Sequence, residues 1–244
     1  MDHSLHFLAP PAPARPIDTE PARARLLSRR DLPALMALER EKWTDVQAAS
    51  EDQLCARIDA HPELAIGAFC TRTGRLLASL FMRPVADDFY RHVQTWDDCV
   101  NAPLPEASST LFGISLSSRN CDGVSALLDF FWPIALKRGW RHIYLGSPVP
   151  GLRDWREANP NRSVDEYVHA KRRGLPLDPQ LRYYRSRGFA KVVCAKPSYF
   201  PHERSLDYGA ILRGTVPLSA LAPLWAALPE PYVRRVTRAL SSLL

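Results

Sequence analysis

Five cysteines, seven histidines and a few clustered hydroxyls are the side chains from which this 244-residue chain can build reactive chemistry. The cysteines stand at 55, 70, 99, 121 and 194. An odd count without a CxxC pair is not a disulfide framework, and the thiols read as small buried apolar groups. Cys121 is a candidate acyl-accepting nucleophile, but the buried apolar role fits it better. No HxxxH or CxxH pair occurs, so no metal is expected. His142 beside Arg141 reads as a surface histidine before a base. The absence of a Gly-x-Ser-x-Gly elbow removes Ser-His-Asp hydrolysis. Ser115, Ser117 and Ser118 crowd the end of an apolar run, where hydroxyls serve either a polar turn or a ligand. Tyr183 and Tyr184 precede Gly188-Phe189, where a tyrosine is either a packing ring or a proton donor.

Charge adds a second constraint. The formal net charge is +6, yet residues 134–191 alone carry 13 Lys/Arg against 5 Asp/Glu. A basic face suits an anionic partner: a nucleotide phosphate, a phosphopantetheinyl group, an acidic carrier protein or nucleic acid. The densest run, Lys171-Arg172-Arg173, comes with no nucleic-acid motif, so nucleic acid ranks last.

These residues need elements to hold them. With 46% hydrophobic and 24% charged residues, the composition is that of an ordinary globular protein. No apolar run reaches the roughly 18 residues of a membrane helix, and Met1–Pro16 lacks the pattern of a secretory signal. The expected location is the cytoplasm. Residues 1–24 are rich in Pro and Ala and read as an extended leader. A strand is expected near Arg25-Leu26-Leu27, then a helix capped by Asp31 and a second opened by Ser50. Leu64–Thr71 and Leu76–Met82 flank Arg72-Thr73-Gly74-Arg75 as a β-hairpin. Residues 87–107 read as a polar insertion. Thr110–Leu116 is a strand, Val124–Leu136 a helix ended by Gly139, and His142–Leu145 a strand. Ser163 and Glu166 form a capping box for a helix reaching about Arg173. A shorter helix, Pro179–Arg187, stops at Gly188. Phe189–Ala195 and Tyr208–Leu212 are the last strands, and residues 218–244 form two helices split by Pro229 and Pro231. The order β-α-α-β-β-β-α-β-α-α-β-β predicts an α/β (α+β) fold, a mixed and mostly antiparallel sheet covered by helices.

That order resembles the GNAT acyltransferase superfamily. The stretch Arg182-Tyr183-Tyr184-Arg185-Ser186-Arg187-Gly188-Phe189 is similar to the superfamily's aromatic-Tyr-xxx-Gly-Phe segment. The resemblance implies that Tyr184 is the general acid toward the departing thiolate. Physically, a phenol of pKa about 10 can give a proton to a thiolate whose own pKa is about 8.5.

A narrower likeness spans roughly Leu26–Gly214. Its pieces are Leu38-Glu39-xxx-Trp43, Ser50, Arg57, His61-Pro62, Ser147-Pro148-Val149-Pro150-Gly151, Asp178-Pro179-xx-Arg182, Tyr199-Phe200-Pro201 and Leu206-xx-Gly209. Together they resemble the GNAT subgroup associated with polyketide synthase assembly lines. The likeness implies a domain over 25–214 with a helical extension over 215–244. Its implied donor is acyl-CoA or a phosphopantetheine thioester, and its implied partners are an acyl carrier protein or polyketide synthase. Trp43 would line the pantetheine tunnel. Ser115, Ser117, Ser118, Arg119 and Gly123 would hold the thioester and phosphates at the end of the fourth strand.

Two departures stand out. The subgroup follows Pro-Gly with Tyr-His, its decarboxylating histidine; here Arg153 stands at that place, among the donor-contacting residues. In the phosphate loop only Gly123 is a glycine, and Asp122 adds negative charge. The implied function is acyl transfer without malonyl decarboxylation. A catalytically silent module docking a carrier protein or synthase is the alternative, followed by a malonyl decarboxylase of a loading module.

Overall fold

The computed structural model describes residues 20–44 and 47–241. The expected leader lies outside the described residues through Thr19. Strand β1 already begins at Ala22, ahead of the expected start, because Ala24 is buried and pairs with Ala68. Seven strands form one sheet in the order β1-β2-β3-β4-β5-β9-β8, where β1 is Ala22–Leu26, β2 Ala65–Cys70, β3 Leu76–Val85, β4 Thr110–Ser118, β5 His142–Pro148, β8 Lys191–Lys196 and β9 Gly209–Thr215. The pairs β1–β2, β2–β3, β3–β4 and β8–β9 are antiparallel. The mixed, mostly antiparallel sheet flanked by helices is the architecture the element order predicted.

The chain divides into two compact units. One comprises the described parts of 19–87, 104–143 and 216–244. Here Leu35 and Leu38 of helix α1 (Leu32–Lys42) and Leu54 and Ile58 of α2 (Glu51–Ala60) supply buried apolar positions. Ser50 caps α2 as expected, its side chain accepting the Gln53 N–H. Asp31 does not cap α1. Its carboxylate turns back to the Ser28 N–H and the Arg25 guanidinium, which closes a 3-10 turn before the helix.

Helix α4 (Cys121–Arg138) buries Leu127, Phe131, Ala135 and Leu136 in the main core. Its Gly123 is needed for contact: a Cβ there would stand 3.0 Å from the side chains of both Leu77 and Ala78. Helices α8 (Ala222–Ala227) and α9 (Glu230–Ser241) bury Trp225 and Val233 in the same core. Lys137 ties them down through the carbonyls of Ala226 and Leu228. The helical extension thus packs on its own unit.

The other unit comprises residues 88–103 and 144–215 in its described part. The expected polar insertion is not featureless: it forms a 3-10 turn and helix α3 (Trp96–Asn101), started by a Thr95–Asp98 capping box. The Thr-x-x-Asp spacing carries that signal in the sequence. Two further elements escaped the pattern reading, α5 (Leu152–Ala158) and a two-strand hairpin of β6 (Lys171–Arg172) with β7 (Leu175–Pro176). Ser163 does cap helix α6, but α6 ends at His169 instead of near Arg173. Ala170 takes an extended conformation, and the chain turns into the hairpin through Arg173 and Gly174, both at positive φ. Helix α7 (Pro179–Ser186) follows, and Gly188 at φ +91° ends that turn of chain. Among the described residues no helix is long and apolar enough to cross a membrane.

Candidate active site

The end of β4 carries a buried polar network of the first unit. Ser117 is fully buried; its hydroxyl donates to a Glu39 carboxylate oxygen at 2.7 Å and accepts the Trp43 indole N–H at 2.7 Å. The second Glu39 oxygen accepts the Ala49 N–H at 3.2 Å. Glu39 is itself buried on α1, and Trp43, one helical turn on, is exposed. The spacing of four puts both on one helix face. One buried carboxylate therefore orients the indole through Ser117. Glu39 stands in the Leu38-Glu39-xxx-Trp43 stretch, and this relay is what sequence reasoning left unassigned.

The neighbouring residues differ in what they have left to offer. A register shift between Phe81 and Met82 leaves Ile114 without a partner, a β-bulge one residue before Ser115. Such bulges re-aim side chains. Among the described residues the buried Ser115 hydroxyl has no hydrogen-bond partner, which gives it unspent capacity. Ser118 donates to the Asn120 carbonyl. Arg119 is paired with Glu41 at 2.6 Å and with the Leu76 carbonyl. At the start of α4, Asn120 accepts the Gly123 N–H, while Glu20 and Asp122 stand alongside. Arg75 neutralises Glu20. Two carboxylates and an asparagine stand at this helix start, and the Gly123 N–H is taken up by Asn120. Cys121 is exposed there, not buried as expected, because the first turn faces outward at that position.

Tyr184 belongs to the second unit, on α7. Its ring makes edge contacts with Tyr183 and Phe189, with centroids 5.4 and 6.2 Å away. Burial raises the phenol above its usual pKa of 10, and a hydrogen bond with the Gln180 side chain pulls it partly back. The hydroxyl therefore keeps its proton throughout the neutral range, as a donor must. Helix α7 is set in place by Asp178, which is fully buried. Its carboxylate accepts the N–H groups of Gln180 and Leu181, the Gly151 N–H and the Tyr167 hydroxyl. A Cβ at Gly151 would lie 2.3 Å from the Tyr167 oxygen, so only glycine admits this clamp. The Pro150-Gly151 and Asp178-Pro179 motifs are thus two sides of one joint.

A second latch holds the same loop. Ser205 accepts the Val149 N–H at 2.8 Å and its hydroxyl lies 2.7 Å from His202 Nδ1. The Ser205 backbone N–H, which can only donate, also points at Nδ1, so neutral His202 carries its proton on Nε2. His202 lines an open cleft of about 620 Å³ with Arg153, Pro201, Glu203, Leu206 and Asp207. Arg153 pairs there with Glu203 at 2.8 Å. Burial first, then Arg204, holds His202 below its usual 6.5, against the pull of Asp207 and Asp178. A histidine with a depressed folded pKa binds fewer protons folded than unfolded, so stability is lost as pH falls below 6.5. Thermal melts from pH 7 to pH 5 should show this loss, and His202→Asn, which keeps an acceptor toward Ser205, should flatten the slope. His61, also depressed by burial, contributes its own share. An unaltered slope in the variant would remove His202 as the titrating group.

Among the described residues no three His, Cys, Asp or Glu side chains gather as a metal site. No family model matches the chain, and no curated protein does. Solved structures do. The chain is similar to the GphF GNAT-like decarboxylase in complex with isobutyryl-CoA, at TM-score 0.64 and 22% identity over 80% of this chain and 99% of that one. It is similar to the loading GNATL domain of CurA from Lyngbya majuscula, at TM-score 0.66 and 18% identity over 80% and 98%. Ard1 from Thermoplasma volcanium follows, at TM-score 0.51 and 14% identity over 80% and 98%. The chain has the GNAT fold.

Proposed function

We propose that this protein is a GNAT-type acyltransferase of polyketide-type biosynthesis, moving an acyl group from CoA or a carrier-borne phosphopantetheine thioester to a thiol, amine or hydroxyl acceptor. The observation that carries this reading is the GNAT fold with Tyr184 near the end of α7, its ring packed between Tyr183 and Phe189. In the reaction the acceptor's lone pair forms the new acyl bond, the carbon–sulfur bond breaks, and Tyr184 protonates the departing thiolate. Solvent takes the acceptor's proton and returns one to the phenol. Trp43, held by Ser117 and Glu39, would flank the pantetheine arm, and the unspent Ser115 hydroxyl would meet one of its polar groups. The similar GphF decarboxylase is solved with isobutyryl-CoA and the similar CurA domain is a loading domain, and both support the donor class.

Intact-protein and product mass spectrometry with a panel of acyl-CoAs and an isolated acyl carrier protein tests this. Acylated carrier or a small acylated acceptor supports it; thioesters recovered unchanged across the panel overturn it.

Glu39→Gln tests the relay. It keeps the shape but leaves one donor facing a donor. We expect KM for acyl-CoA to rise about tenfold, near 1.4 kcal/mol of binding, with kcat little changed. The indole N–H resonance of Trp43, assigned by its loss in Trp43→Phe, should move in the same variant. An unmoved resonance would mean that Glu39 does not orient the ring.

One observation favours the second reading, a catalytically silent docking module. Glu20 and Asp122 occupy the start of α4, where the superfamily pattern places phosphates.

A further inference from the structure

The basic surface singled out in the sequence has no part in the chemistry above. From Lys171 to Lys191 there are seven Lys/Arg and a single carboxylate, Asp178. Asp178 is fully buried and spent on four hydrogen bonds, so it screens nothing at the surface. Lys171, Arg172 and Arg173 are all exposed on the β6–β7 hairpin, and among the described residues none of the three makes an ion pair. Leu175 stands in the same hairpin, 46% exposed.

Helix α7 adds to this face. Arg185 donates to the Gly174 carbonyl at the hairpin's turn, and Arg182 donates to the Pro176 carbonyl. These bonds use one edge of each guanidinium and leave the positive charge beside the hairpin. Arg187 and Lys191 continue the run.

The turn itself breaks a local rule. A two-residue connection with positive φ at both positions favours Asn-Gly or Gly-Gly. Here Arg173 takes the first position at φ +53°, where a long side chain is disfavoured, and Gly174 the second at +78°. A cation therefore stands at the tip although the backbone there favours another residue.

We infer that the β6–β7 hairpin and the adjoining arginines of α7 form a docking face for an acidic protein surface, with Leu175 as the apolar contact inside a cationic rim. This rests on the acyl-transfer reading, in which the partner of that chemistry is the acidic carrier protein bearing the phosphopantetheine arm. An aliphatic centre within a charged rim is the anatomy of a protein interface. A phosphate backbone would meet the cations and leave Leu175 without a contact. Rim charges of this kind act mainly on the association rate and its salt dependence.

The test uses the full chain and three probes: a stand-alone acidic bacterial carrier protein in its acetyl-phosphopantetheine form, free acetyl-CoA, and a short DNA duplex. Binding is read by titration at low and moderate salt. We expect the carrier to bind, to weaken as salt rises, and to lose roughly tenfold in affinity with Arg172→Glu combined with Arg173→Glu, while acetyl-CoA affinity stays within about twofold. Arg173→Asn guards against misfolding: Asn suits the turn better than Arg, so the fold keeps or gains stability, yet carrier binding should still fall. Carrier affinity indifferent to these variants overturns the proposal, as does a wild type that fails to bind the carrier. An equal loss of acetyl-CoA affinity would make the patch a phosphate subsite instead, and tighter binding of the duplex than of the carrier would make it a nucleic-acid surface. Turnover of acetyl-CoA with a small acceptor separates the two readings. If it persists while carrier binding fails, the docking face is wrong and acyl transfer stands; if it is absent while the carrier binds at the hairpin, the reverse holds.

Discussion

Tyr184→Phe should cut acyl-transfer kcat by about 10²–10⁴-fold, the usual share of general acid–base catalysis. The substitution keeps the ring and its edge contacts with Tyr183 and Phe189 but removes the only proton that position can give. Because burial lifts the phenol above 10, the wild-type donor is protonated across the neutral range. Negative charge develops on the sulfur only as the carbon–sulfur bond breaks, so the phenol gives its proton during that cleavage and not before. Replacing the CoA thiol by a thiol of lower pKa should narrow the gap between wild type and variant, since a better leaving group needs less protonation. KM and the melting temperature should change little. Full turnover in a folded Tyr184→Phe protein would take the residue out of the mechanism, and loss of folding would assign the hydroxyl to the hydrogen bond with Gln180 instead.

Asp178→Ala should strongly destabilise the fold of the second unit. It deletes the N-cap of α7, worth about 1 kcal/mol. It also strands the Gly151 N–H and the Tyr167 hydroxyl in a buried setting, at roughly 1–3 kcal/mol each. The total is on the order of 3–7 kcal/mol. At about 2–4 °C per kcal/mol for a chain of this size, the melting temperature should drop by about 10 °C in calorimetry. Asp178→Asn retains the cap acceptor and should fall between wild type and Ala. Tyr167→Phe, which removes one donor along with its need for a partner, should cost least. A melting temperature for Asp178→Ala within about 2 °C of wild type would show that the clamp is not what holds α7.

The same joint explains why α7 and the Pro150-Gly151 loop carry distinct sequence signals. Burial of Asp178 pushes its carboxyl up while four donors pull it back. Its partners come from three segments that meet only when the unit is folded. Damage to Asp178 should therefore reach Tyr184 through the position of the helix, so activity in Asp178→Asn should fall further than its stability alone would require.

Much of the architecture is local, and the sequence by itself determined it. Ser50 with Gln53 and Ser163 with Glu166 mark helix starts because the donors they satisfy lie within three residues. Arg72-Thr73-Gly74-Arg75 marks the β2–β3 hairpin because Gly74 tolerates φ +71°. The strand and helix order, and Tyr184 one turn before Gly188, follow from periodicity and backbone rules that need no distant partner. Where local signals were short or ambiguous, the reading slipped: α5 has only seven residues, and Asp31 had two nearby donors to choose between.

What only the tertiary structure decided is which polar groups meet. Ser117 finds Trp43 and Glu39 across 74 and 78 residues, and Asp178 finds Gly151 across 27. Periodicity says which face of an element is apolar; it does not say which buried hydroxyl will face which carboxylate. That depends on strand register, on the bulge at Ile114, and on how closely Gly123 lets α4 approach β3, all of which are settled by packing the whole core at once.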